Sequence, residues 1–246
     1  ENAGNISGIK FGEDNTKVVI FTTPSGGTGA SSMAAACSMY YASQGKRVLY
    51  LNLERFGYAD LFFNAEGQFD MSDIIFALKS KKTNLQLKTE SCVKQSIQGV
   101  SFFSQTKIAP DMLEMTIEEK IRLISELRLL NNYDYIIVDY DFDISKEALQ
   151  LYIESNSIVW IGDGSEISNI KISRAYNALI TVEQSLESSI TNRILLIYNK
   201  FSNKTGKSVS DIGIKSIGGA PRYEHASTQQ VVTQLSKFRD IFEKIV

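Results

Sequence analysis

The sequence is poor in the residues that would mark a secreted, metal-stapled or membrane-spanning protein. It has only two cysteines, Cys37 and Cys92, far apart and without the C-x-x-C or Cys/His spacing of a zinc site, which excludes a disulfide framework and fits a reducing cytosol. There is no run of about eighteen apolar residues and no basic-then-apolar leader, so no membrane insertion is expected and the body of the protein is placed in the cytoplasm. The formal net charge is −2, which removes any general drive toward nucleic acid or an anionic bilayer, and no nucleic-acid partner is expected. His225 is the only histidine. It stands near no nucleophile pattern and reads as a surface residue.

What remains is the composition of an ordinary globular domain: 43% hydrophobic and 22% charged over 246 residues, enough chain for one substantial core. Residues 1–16 are polar and rich in Gly and Asn, as in a trimmed terminus or inter-domain linker, and residues 17–246 are read as one domain. Lys17–Thr22 is a short apolar run closed by Pro24 and Gly26-Gly27, a buried strand entering a tight turn. Met33–Ala42, rich in helix formers and stopped by Gly45, begins a helix directly after that turn. Lys46–Leu53 is a second strand, ending at Glu54-Arg55.

Farther along, Ser72–Leu78 suggests a short helix followed by a polar connection, and Val100–Phe103 a strand. Apolar residues from Met112 to Leu130 at near-helical spacing predict one helix over 111–130, stopped by Asn131-Asn132. Tyr135–Asp139, Ile158–Gly162 and Ile194–Lys200 are further strands, with helices over about 166–184 and 227–244. The alternation predicts an α/β fold, a mainly parallel doubly wound sheet covered on both faces and joined by right-handed crossovers. Val231, Val232, Leu235, Phe238, Ile241, Phe242 and Ile245 are read as core. A membrane-seeking helix would need a basic polar face, and only Lys237, Arg239 and Lys244 contribute positive charge.

A glycine-rich turn between strand and helix presents unpaired N–H groups and a positive helix end to an anion, so phosphate is the natural ligand. The run here is Pro24-Ser25-Gly26-Gly27-Thr28-Gly29-Ala30-Ser31-Ser32. Against G-x-x-x-x-G-K-[ST] it keeps the magnesium-hydroxyl position at Ser31, puts Ala30 where the lysine belongs and Pro24 in place of the first glycine. A ligand-free turn is the plain alternative for the glycines, and helix capping for Ser31.

Ser25–Ser32 resembles, without a gap, the K-G-G-x-G-K-[ST]-[ST] loop of the ParA/MinD family of deviant Walker ATPases. Asn52-Leu53-Glu54 falls where that family has D-x-D, and Tyr133–Asp139 is similar to its Y-D-x-[IV]-[IV]-[IV]-D-x-P element, with Asp141 at the usual proline. Leu195–Lys200 resembles the strand whose terminal asparagine contacts adenine, and Pro221-Arg222-Tyr223-Glu224 the segment whose backbone lines the base pocket. The resemblance covers residues 17–245. It implies a P-loop NTPase fold, ATP and Mg²⁺ as ligands, and nucleotide-linked homodimerisation. It also implies a water-orienting role for Glu54, the magnesium shell at Ser31 and Asp139, and the base contact at Asn199 with Pro221 and Arg222. Solvated strand ends remain the alternative for Glu54 and Asp139, and a turn contact for Asn199.

Loss of both loop lysines looks like the TadZ/CpaE branch, pilus-assembly proteins with an atypical ATPase domain. This implies pilus or secretion-apparatus partners, placement at a cell pole or at the membrane through those partners, and slow or absent hydrolysis unless Lys200, Arg222 or a partner residue replaces the charge. An active partitioning or positioning ATPase is the competing reading, although relatives of that kind use both lysines. A bacterial tyrosine kinase lacks support because no tyrosine-rich tail follows Phe242. An iron–sulfur relative lacks it because Cys37 and Cys92 do not match bridging positions.

Overall fold

In the computed structural model the described residues are 15–80, 84–186 and 188–245. Residues 1–14 of the expected linker therefore lie outside them. The elements run β1 (Lys17–Thr22), α1 (Ala30–Ser43), β2 (Val48–Asn52), α2 (Met71–Lys79), α3 (Leu85–Cys92), β3 (Lys94–Gln95), β4 (Val100–Phe102), α4 (Ala109–Leu113), α5 (Ile117–Leu129), β5 (Tyr135–Asp139), α6 (Lys146–Ile153), β6 (Ser157–Gly162), α7 (Glu166–Glu183), β7 (Ile194–Phe201), β8 (Lys215–Pro221), α8 (Thr228–Leu235) and α9 (Arg239–Phe242). The strands form one sheet of order β3-β4-β2-β5-β1-β6-β7-β8, parallel throughout except where β3 pairs antiparallel to β4.

Apolar runs in the central strands are buried on both sides because side chains alternate between two helical layers. Val18 and Ile20 of β1, Leu49 and Leu51 of β2 and Ile136 and Val138 of β5 join the core under α2–α7. Val19, Phe21, Tyr50 and Ile137 join the other, under α1, α8 and α9. Both cysteines are buried and free. No helix of the described residues is long and apolar enough to cross a membrane.

Four expectations are corrected. The helix predicted over 111–130 is two helices, because Thr116 begins a new one: its hydroxyl accepts from the Glu119 amide and the Glu119 carboxylate accepts from the Thr116 amide, a reciprocal cap that outweighs the continuous apolar spacing. The helix over 227–244 is also two, separated at Ser236–Phe238, and that turn lets Val232 and Leu235 before it and Ile241 and Phe242 after it reach one core. The polar connection after α2 holds α3, whose amide at Leu87 is capped by the Asn84 side chain. The second strand is shorter than predicted, since Arg47 leaves the ladder to bind the Asp134 carboxylate.

β1 is flanked by β5 on one side and β6 on the other, so the chain's winding reverses there and the carboxyl ends of β1, β2, β5 and β7 open onto one crevice. In α/β sheets this is where ligands bind.

Candidate functional site

The loop after β1 is shaped by three left-handed glycines. Gly26 and Gly27 have φ of 67° and 67°, with open space where a Cβ would project, and Gly29 has φ of 89°. Positive φ carries no steric cost at glycine, so the chain can turn sharply from β1 into the N-terminus of α1, whose free amides suit an anion. Gly29 is the N-cap of α1 and brings no side chain to the helix end, and no acidic residue occupies the first turn. The capping reading of Ser31 is thus incorrect: it lies inside the first turn, and its hydroxyl donates to Glu54 Oε2 at 3.2 Å.

Other loop residues are committed inward. Thr28 is buried, its hydroxyl bonded to the Ile161 carbonyl and to Thr23 Oγ1, and the Ser25 amide donates to Thr23 Oγ1. Ala30 is buried at the start of α1, and Ser32 borders a cavity of about 330 Å³ lined also by Asn199, Lys200, Pro221, Arg222 and His225. Asn199 is buried and donates to the Thr28 carbonyl at 2.8 Å. It therefore pins the loop as well as bordering the cavity. His225 is exposed, as its sequence setting implied, yet it stands at the rim.

Opposite the loop, β2 and β5 deliver an acidic pair. Asp139 is fully buried, and its Oδ2 accepts from the Tyr50 hydroxyl at 2.7 Å and from Asn52 Nδ2 at 3.1 Å. Burial and the neighbouring Glu54 carboxylate hold Asp139 well above the ordinary carboxylate range. Burial, then the Asp141 carboxylate, raise Glu54. Asp141 itself pairs with the Arg55 guanidinium at 3.1 Å and accepts from the Arg55 amide, tying together the segments that follow β2 and β5. The sequence reading missed Tyr50. Its position in the middle of an apolar run gave no signal that its hydroxyl would meet a carboxylate.

Asp139 Oδ1 is buried with no hydrogen-bond partner. An orphaned carboxylate oxygen in a region of raised carboxylate pKa fits a hard cation, which would reverse the local electrostatics. Among the described residues no group of three or more His, Cys, Asp or Glu could hold a metal alone.

No model of a known protein family matches the chain, and no curated protein sequence matches it. Solved structures do. The chain superposes on a ParA family ATPase from Chlorobium tepidum with a TM-score of 0.70 and 19% identity, over 94% of this chain and 96% of the other. It superposes on MinD from Pyrococcus horikoshii, solved with Mg-ADP, with a TM-score of 0.66 and 13% identity, over 90% and 94%. For the MinC:MinD complex from Aquifex aeolicus the values are 0.64 and 17%, over 89% and 93%. The chain has the ParA/MinD type of P-loop NTPase fold.

Proposed function

We propose that the chain binds ATP with magnesium at Ser25–Ser32 and acts as a nucleotide-dependent scaffold or localisation protein, dimerising with nucleotide and hydrolysing it slowly or not at all. The observation that carries this reading is the pairing across one crevice of a glycine loop at an uncapped helix end with the orphaned oxygen of Asp139. Loop amides from Gly26 to Ser32 would receive the phosphates. Ser31 and Asp139 would hold magnesium, which neutralises phosphate charge when bound. The cavity beside Ser32, with Asn199, Pro221 and Arg222 on its walls, would take the base.

A setting in a Flp/Tad-type pilus or secretion apparatus draws its support from the lysine-free spelling of the loop, as does placement at a pole through partners. The second reading is an active ParA/MinD-type positioning ATPase, favoured by the Glu54 carboxylate beside Ser31. Calorimetry with Mg-ATP tests the common premise. Saturable binding with thermal stabilisation is expected, and no heat and no stabilisation at millimolar ligand would refute nucleotide binding altogether.

A further inference from the structure

With Ser25 and Ala30 at the two lysine positions, the loop carries no cation of its own, yet two ammonium groups from elsewhere reach it. Lys200 Nζ donates to the Gly27 carbonyl at 2.8 Å, and Lys171 Nζ, from α7, donates to the Ser25 carbonyl at 3.3 Å. Among the described residues neither is paired with a carboxylate, so neither positive charge is spent on an ion pair.

The approach of Lys200 is built into the backbone. Side chains of consecutive strand residues point to opposite faces, so a regular β7 would send Asn199 to the loop and Lys200 away from it. Instead Lys200 has φ of 57°, and the pairing of β7 with β8 slips in register between Tyr198 and Phe201. This irregularity re-aims one side chain, as bulges beside functional sites do. Asn199 and Lys200 consequently grip adjacent loop carbonyls, those of Thr28 and Gly27. A left-handed lysine is an uncommon conformation, held here by these contacts. Its single hydrogen bond to the loop leaves two of the three Lys200 donors for a ligand.

We infer that Lys200 is the phosphate-contacting cation of this site, a replacement from β7 for the lysine missing at Ala30. The inference rests on the nucleotide-binding reading. It assigns to Lys200 the charge-assisted contact with the phosphate chain, while Lys171, on the Ser25 carbonyl, adds positive potential to the loop.

The test is Mg-ATP and adenosine binding by calorimetry to the unmodified chain, Lys200→Met, Lys200→Asn and the double variant Lys200→Met/Ala30→Lys, each checked by thermal melting. Asn is included because it tolerates the left-handed backbone. Loss of the ammonium is expected to weaken Mg-ATP binding at least about tenfold in both single variants, as for a charge-assisted hydrogen bond, and to change adenosine binding by less than about twofold. Lysine at position 30 is expected to restore most of the lost affinity. If the unmodified chain binds Mg-ATP and both single variants bind it within about twofold, Lys200 is not the cation, although the nucleotide site stands. If the unmodified chain binds no Mg-ATP, the nucleotide reading falls and takes this inference with it.

Discussion

Asn199 and Thr28, 171 positions apart, are joined by a 2.8 Å hydrogen bond from the Asn199 carboxamide to the Thr28 carbonyl, and that bond is possible only because residue 29 has no side chain. A Cβ on Gly29 would lie 2.5 Å from Asn199 Nδ2. The obstacle at position 29 is thus the asparagine that holds the loop. Gly29→Ala is expected to cost about 2 kcal/mol in urea unfolding, from left-handed strain plus displacement of Asn199. Gly26→Ala, which meets nothing within 4 Å, is expected to cost about 1 kcal/mol from backbone strain alone. Adding Asn199→Ala to Gly29→Ala should be less than additive. Equal costs at the two glycines would contradict the clash.

Asp139 is a fully buried carboxylate with one oxygen unpaired and Glu54 close by. Without ligand, Asp139→Asn is expected to raise stability at neutral pH by about 1 kcal/mol, because an amide carries no buried charge while its oxygen still accepts from Tyr50. The same change should abolish the extra stabilisation that magnesium gives over ATP alone. Thermal melts with ATP, with and without magnesium, measure both effects. An unchanged magnesium increment would remove Asp139 from the metal shell.

Lys120 is buried on α5, its ammonium donating to the Leu53 carbonyl at 3.2 Å and lying 4.8 Å from the Tyr140 ring centre. Burial lowers its pKa, against the opposing pull of Asp141. A lysine whose folded pKa is depressed binds fewer protons folded than unfolded, so its ionisation opposes folding at low pH and this opposition fades as pH rises toward the unfolded value of about 10.4. The stability of the unmodified chain relative to Lys120→Met should therefore increase as pH rises toward about 10.4. A flat or falling difference in urea titrations would mean that the ammonium is not destabilised by burial.

Hydrolysis is expected to lie far below the roughly 1 s⁻¹ of slow ordinary enzymes, because Ser25 supplies no second cation for the charge developing on a transferred phosphoryl group, even where Lys200 replaces the contact missing at Ala30. Ser25→Lys/Ala30→Lys should bind Mg-ATP more tightly and hydrolyse it faster only where a dimer forms. Should the unmodified chain turn over at about 1 s⁻¹ or more, with Glu54→Gln abolishing the activity, the positioning-ATPase reading replaces the scaffold.

Phe56 and Tyr58, two and four positions after Glu54, are 78% and 61% exposed. Light scattering should report a larger species with Mg-ATP than without it, and Phe56→Asp should return it to the smaller mass. A single mass at every concentration in both conditions would end the dimer proposal.

Alternation of apolar runs with helical patterns was sufficient for the α/β class and for the places of β1, β5, β6 and β7, since burial on both faces writes itself into composition. β8 escaped notice because Lys215-Ser-Ile-Gly-Gly-Ala-Pro221 is glycine-bearing, has no apolar run and lies at the sheet edge, where only one neighbour stabilises it. The breaks at Thr116 and after Leu235 escaped notice because apolar spacing can be nearly continuous across a cap or turn that interrupts the hydrogen-bond ladder.

The chain's spelling by itself determined that a glycine loop joins a strand to a helix, that Asp139 ends one strand and Glu54 follows the end of another, and that no lysine stands inside the loop. Each is a matter of local residue type and period. Only the tertiary structure decided that Tyr50 holds Asp139, that Asn199 pins Thr28 and that Lys200 returns a positive charge to Gly27. These contacts join residues between 89 and 173 positions apart, and they depend on strand register and on one left-handed backbone angle, neither of which has a signature in the residues that carry them.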